Sequence, residues 1–249
     1  MSNRDKMFAA TLVLAFVVAH VAAEIPSYIH VCGRRNPNID ECILKNVENL
    51  KSKICEGIPE LSVKPIEPMH IKRIEVFNAD NSKLFLNDMY ITGLCNYDIK
   101  FFHMNFEKLH FDVDLEFKRI NISTIYDLNA NIIVNIAMKG PIHITTDNVS
   151  AKAGIDLNVT NKDGKEHVYV SNMNLDLDIK GYEVDLSSFS DTQLNQMRKI
   201  GETFAIQSRQ EIIKVIKPII EKIVIKHILN FSNEIVKNFT FDELFPDRA

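Results

Sequence analysis

The 249-residue chain has no tryptophan, only eight glycines and only four cysteines. So little glycine excludes collagen-like and flexible low-complexity architectures, and a 46% hydrophobic, 25% charged composition excludes a disordered chain or a simple coiled coil. Basic tracts are missing too, and the formal charge is −4, so nucleic acid is not an expected partner. No G-x-S-x-G, H-E-x-x-H, Walker or Rossmann glycine pattern occurs, and no cysteine stands in C-x-x-C or Cys/His spacing. Neither catalysis, a metal nor a cofactor is therefore expected. The eight histidines are scattered, and the nearest pair, His103 and His110, have opposite strand parity.

What the chain does have is one very apolar stretch near its C-terminus. Ile212, Ile213, Val215, Ile216, Ile219, Ile220, Ile223, Val224, Ile225, Ile228, Leu229 and Phe231 would cover more than half the circumference of a helix. Lys214, Lys217, Glu221, Lys222 and Lys226 interrupt it, and each would cost roughly 2.5 to 3.5 kcal/mol at mid-bilayer. Stable membrane insertion is thereby excluded, and other parts of the chain must wrap the helix. Only a narrow stripe of Gln210, Lys214, Lys217, Glu221, Lys226 and Asn230 is left for water. The helix is expected over about 190–238, bent at Pro218.

Residues 1–23 read as a secretory signal: Arg4 and Lys6, an apolar segment from Met7 to Val18, then Val21-Ala22-Ala23 before cleavage. Losing Arg4, Asp5 and Lys6 leaves 27 basic and 32 acidic residues in a single domain over 24–249. In an oxidising compartment four cysteines allow three pairings. Cys32 with Cys42 closes a small loop containing Gly33 and Pro37 and is favoured, which leaves Cys55 and Cys95 as a second bridge or as buried free thiols. Five N-x-S/T sequons occur, at Asn121, Asn148, Asn158, Asn230 and Asn238; the first three are the expected glycosylation sites, Asn158 foremost because it lies on the polar parity of a strand.

Asn38-Ile39-Asp40-Glu41 starts a short amphipathic helix carrying Ile43, Val47, Leu50 and Ile54 and ending at Gly57. Three prolines over 58–68 exclude regular structure there. From Ile71 the period becomes two, most clearly in Leu109 to Phe117, then in Ile132, Val134, Ile136 and Met138, in Ala151 to Val159, and in Val168 to Ile179. Slips at Ser171-Asn172 and between Phe101 and Phe102 predict bulges. Asp163-Gly164 and Gly181 predict hairpin turns. Successive strands with short turns make an antiparallel meander whose apolar face the long helix must cover.

Gly57-Ile58-Pro59-Glu60-Leu61, Pro65-Ile66-Glu67-Pro68, Ile91-Thr92-Gly93-Leu94, Lys139-Gly140-Pro141 and Asp242-Glu243-Leu244-Phe245-Pro246, in this order, resemble the insect takeout and haemolymph juvenile hormone-binding protein family. The resemblance spans nearly the whole chain after residue 24. It implies an α+β fold: a long C-terminal α-helix wrapped in a highly curved antiparallel β-sheet, of the tubular lipid-binding kind, plus a short N-terminal helix. The Cys32 and Cys42 pair matches the family's N-terminal cysteines, whereas Cys55 and Cys95 lie outside its usual pattern. Met138 replaces a glycine common in the family, Ala130 another, and Lys118 a proline.

The expected function is that of a secreted, extracellular, monomeric and non-enzymatic carrier of a small lipophilic ligand, such as a juvenile hormone-like terpenoid or a fatty acid, with a cell-surface receptor as a further partner. Candidate lining residues are Phe106, Phe111, Leu115, Tyr126, Ile132, Val134, Met138, Ile216, Ile220 and Ile223, with Tyr90, Tyr97 or Tyr126 as a polar partner. The alternative is an extracellular signalling or structural protein with a filled tunnel.

Overall fold

The computed structural model describes residues 25–61, 63–79, 82–131, 135–187, 189–203 and 209–249. The expected signal segment, and Ile132 and Val134 among the candidate lining residues, lie outside them. Helix α1 runs from Ile39 to Glu56, with Asp40 and Glu41 in its first turn and Gly57 ending it at φ +91°. Such a conformation strains any residue with a Cβ. The Asp40 carboxylate accepts the Met104 N–H at 2.8 Å and lies 2.9 Å from His103 Nδ1, which fastens α1 to the sheet. The proline-rich stretch holds one short 3-10 turn, Pro59–Leu61.

Seven strands follow: β1 Met69–Ala79, β2 Ser82–Thr92, β3 Tyr97–Asn105, β4 His110–Asn131, β5 Asn135–Lys162, β6 Lys165–Asp178 and β7 Glu183–Asp185. All their pairings are antiparallel and the sheet is open. Its axis is the β4–β5 ribbon, paired from His110↔Asp156 to Asn131↔Asn135. One side of β4 is taken first by β3 and then by β2, with β1 outside β2. The turn joining β2 to β3 presses onto β4 at Gly93, where a Cβ would stand 2.0 Å from the Arg119 carbonyl oxygen. Cys95 sits in that turn and is bridged to Cys55 at the end of α1, with 5.9 Å between Cα atoms. Cys32 is bridged to Cys42.

The outer side of β5 is taken by β6 and then by β7. Gly181, expected to turn a hairpin, does not: Ser150 pairs with Asp178 and Thr145 with Glu183, so β7 continues the line of β6 along β5. The Thr146 hydroxyl holds this join by donating to the Gly181 carbonyl at 2.7 Å. The bulge at Ser171 is present, since Asn172 and Val170 face the successive residues Asp156 and Leu157. The one expected between Phe101 and Phe102 falls at Lys100 instead. Asp163 and Gly164, at φ +53° and +76°, form the two-residue turn between β5 and β6. Midway along the ribbon Asn148 adopts φ +53°, and the buried set changes parity there, from Ile136, Met138 and Thr146 to Val149, Ala151 and Ile155.

The C-terminal helix is described as α2, Asp191–Thr203, and α3, Arg209–Val236, the latter running through Pro218. Of the polar stripe expected to face water, Gln210, Lys214, Lys226 and Asn230 are exposed, but Glu221, Lys217 and Gln210 also reach the line of β6, as does Asn233 beyond the stripe. Asn233 accepts the Val170 N–H at 2.8 Å and donates to the Val170 carbonyl at 3.0 Å, and Glu221 accepts the Leu177 N–H at 2.9 Å. Lys217 pairs with Asp176, and Gln210 donates to the Lys180 carbonyl at 2.8 Å. The reason is that β6 is an edge strand. Its outward N–H and C=O groups need partners, and the helix brings side chains that supply them.

At the end of the ribbon near His110 the tail folds back. Helix α4, Phe241–Leu244, is closed by a capping box between Thr240 and Glu243. Arg34 pairs with Asp242 at 2.6 Å and lies over the Phe241 ring, Arg35 pairs with Asp247, and Phe106 meets Phe245 edge-on at 5.2 Å. Phe239, 2% exposed, joins Ile58, Leu61 and Val63 beneath this clasp.

Replacing Asn233 with Ala removes both hydrogen bonds to the β6 edge and is expected to cost about 2 kcal/mol, read as a fall in Tm of about 4–8 °C. His110 gives a pH test. Its Nδ1 lies 2.6 Å from Asp156, whose other oxygen accepts from Asn172 at 3.0 Å, and its Nε2 lies 3.3 Å from Asp112. Hydrogen bonding to Asp156 raises the histidine pKa, and the same bond lowers that of Asp156. The histidine contribution is complete below about pH 6.5 and is lost as pH rises through the raised value; the carboxylate contribution is complete above about pH 3.9 and is lost on acidification. In urea unfolding, His110→Gln should lose most relative to the parent between those limits and converge with it on the alkaline side.

Candidate functional site

The two ends of the ribbon's apolar face are covered by different parts of the chain. Near His110, Ile155, Val170 and Met173 are buried and pack with Phe111, Val113 and Leu157 against Ile225, Ile228 and Leu229 of α3. Side chains close up there as in any protein core. Farther along α3, Ile213 is buried, but Ile216, Ile220 and Ile223 are half-buried and Val215 is 66% exposed. At the Asn131 end a second cluster forms around Tyr126, Ile136 and Met138, with Leu84, Leu86, Leu128 and Ile142 from the sheet. Among the described residues only Phe189, in the segment leading into α2, packs on it from outside the sheet.

Element lengths account for the difference. At 1.5 Å per residue the 28 residues of α3 span about 42 Å, while at 3.3 Å per residue the 28 of β5 span about 90 Å along the strand. A helix of that length cannot follow the ribbon to its end. The far stretch of apolar sheet is left to the chain around α2. There the Phe189 ring stacks on Tyr126, with centroids 5.7 Å apart and planes 3° from parallel, and Gln193 donates to Tyr126 Oη at 3.3 Å. Burial raises the Tyr126 pKa, and the Gln193 hydrogen bond offsets part of the rise.

The candidate residues thus separate. Tyr126 and Met138 belong to the far cluster, and Leu115, Ile216, Ile220 and Ile223 are half-buried. Phe111 packs in the closed part, also meeting Phe102 at 5.8 Å, and Phe106 stands in the tail clasp. Of the suggested polar partners, Tyr90 is 46% exposed and stacked on His70, and Tyr97 lies under the Lys51 ammonium, so only Tyr126 stands in the far apolar cluster. Leu84, Leu86, Leu128, Ile142, Phe189 and Gln193 were not foreseen. The first four follow the period-two pattern; Phe189, alone between serines, carries no periodic signal. Two surface clefts are polar: one of about 330 Å³ between Lys152, Asp176 and Lys217, another of about 430 Å³ between the N-terminal arm and α1, lined by His30, Asn38 and Asn46.

On the opposite face the sheet brings together residues that sequence spacing kept apart. Ser123, His143 and Asp185 are successive cross-strand neighbours, with Ser123 Oγ 2.9 Å from His143 Nδ1. They lie on the open outer surface, where the backbone N–H groups serve the strand ladders rather than a developing oxyanion. Among the described residues no group of three or more His, Cys, Asp or Glu side chains could hold a metal ion, and no helix is long and apolar enough to cross a membrane. Asn121, Asn148 and Asn158 are all exposed.

Comparison with known proteins gives these features a family. The chain is 26% identical over 114 residues to the juvenile hormone-binding protein of Manduca sexta, covering 44% of this chain and 46% of that one, so the match spans about half the relative's length. The crystal structure of Takeout 1 from Epiphyas postvittana superposes with a TM-score of 0.55 at 15% identity, covering 80% of this chain and 94% of that one, which establishes a shared fold. The model of the haemolymph juvenile hormone binding protein family matches residues 10–246. With that match extending over nearly its whole length, the chain belongs to the haemolymph juvenile hormone binding protein family.

Proposed function

We infer that the protein is a secreted, monomeric, non-enzymatic carrier that holds one elongated lipophilic molecule, a juvenile hormone-like terpenoid or a fatty acid, against the far half of its ribbon. The observation that carries this reading is a second buried apolar cluster, around Tyr126, Ile136 and Met138, which lies apart from the one that α3 packs against. Leu115, Ile216 and Ile220 would line the inner part of the site, and Tyr126 and Met138 the outer part. Ile223 and Phe111 adjoin the closed core, so the reading places one ligand site rather than two. The family, and the printed name of the Manduca sexta relative, support a hormone-like ligand.

Apolar burial suffices for useful affinity. Fifteen buried carbon units yield about 12 kcal/mol gross, and association costs about 4 kcal/mol or more. The remaining 8 kcal/mol or so corresponds to micromolar binding. The Tyr126 hydroxyl, already accepting from Gln193, keeps its own proton to donate to a ligand oxygen.

Native mass spectrometry of protein secreted by insect cells should find a co-purified lipid, and a fluorescent fatty-acid probe should be displaced by terpenoid esters. Met138→Trp, which fills the far site, should weaken probe binding tenfold or more with the fold retained, whereas Phe106→Ala, in the tail clasp, should leave it unchanged. An empty protein that binds no probe would favour the filled-tunnel alternative.

A further inference from the structure

Tyr169 is 38% exposed on β6, between Val168 and Val170, which are 3% and 8% exposed. Directly across the ladder from it stands Asn158, first residue of the sequon Asn158-Val159-Thr160. Side chains so paired on one sheet face have Cβ atoms about 4.5–5.5 Å apart. The Asn158 Oδ1 accepts the Val159 N–H at 2.8 Å, so its amide nitrogen points away from its own strand's backbone. Thr160, which supplies the sequon hydroxyl, is exposed. We propose that Tyr169 is the seat of an N-linked glycan carried by Asn158, its ring receiving the C–H face of the first N-acetylglucosamine.

The chemistry is ordinary for a chain entering the secretory pathway, and the proposal rests on that part of the functional reading. The Asn158 amide nitrogen attacks C1 of a lipid diphosphate-linked oligosaccharide, forming the N–C bond. The C1–oxygen bond to the diphosphate breaks, the lipid diphosphate leaves, and the amide gives up one proton. Once folded, the sugar next to Asn158 lies over the neighbouring strand, where the negative face of an aromatic ring attracts its polarised C–H groups. The arrangement has a partial counterpart on the same sheet. Asn121, whose oxygen accepts from the Thr145 hydroxyl at 3.2 Å, is diagonal to the exposed Tyr90, but the Tyr90 ring is already stacked on His70. Asn148 falls between the pairs Phe117↔Val149 and Arg119↔Asp147, with no ladder partner of its own, and serves as the control.

The test uses the full chain with its own first 23 residues, secreted from insect cells, and the same chain made without glycans in the bacterial periplasm. Glycopeptide mass spectrometry should find Asn158 occupied. Asn158→Gln should lower Tm by about 2–4 °C in the insect-cell protein and leave the bacterial protein unchanged. Tyr169→Ala should abolish that difference and Tyr169→Phe preserve it, while Asn148→Gln should show none. An unoccupied Asn158 beside an occupied Asn121 or Asn148 overturns the proposal alone. A chain secreted with no glycan anywhere also overturns it and leaves the secretory reading standing, whereas a chain retained inside the cells overturns the secretory reading itself. A Tm difference that survives Tyr169→Ala assigns the stabilisation elsewhere and also overturns it. Lipid binding is read separately with the fatty-acid probe, so failure of the carrier reading and failure of this one are distinguishable.

Discussion

The structure depends on a mutual need between a strand edge and a helix. β6 ends the sheet with unpaired backbone groups, and α3 is too apolar to lie in water. Asn233 and Glu221 satisfy the first need with hydrogen bonds to Val170 and Leu177, and Ile225, Ile228 and Leu229 satisfy the second by packing on Met173 and Ile155. Neither element would be stable alone. Because the contact is polar at the edge and apolar over the face, it fixes the helix in rotation as well as position.

That fixed placement also leaves the far part of the sheet to another segment of the chain. A helix docked along β6 near its hairpin with β5 cannot reach the opposite end of a ribbon twice its length. Among the described residues the far cluster around Tyr126 is therefore met from outside the sheet by a short strap through Phe189 and Gln193. The same inequality of lengths gives two separate buried clusters, one near His110 packed by α3 and one near Asn131 packed by Phe189. Met138, a departure from the family pattern, is a member of this second cluster.

Much of the fold was legible from periodicity. The alternation from Leu109 to Phe117, the slip at Ser171 and the Asp163-Gly164 turn each state a local rule that the structure keeps. What could not be read were relations between distant residues. Gly181 looks like a turn because glycine permits one, but whether β7 doubles back or runs on depends on the partner β5 offers. Gln210 and Glu221 look like a wet stripe because the sequence records polarity and not the unpaired edge they meet. The parity change at Asn148 is visible only in hindsight, as a shift of the apolar residues from even to odd positions. The site was least legible, since Phe189 has no pattern around it and Phe106 resembles a lining residue until its contact with Phe245 is known.

The clasp of Arg34 and Arg35 with Asp242 and Asp247 has a consequence for handling the molecule. It draws Arg34 and Arg35, near the start of the described residues, to the same pole as the C-terminal tail. A fluorophore, affinity handle or surface anchor attached at the C-terminus would then sit at that pole, the length of β4 away from the other.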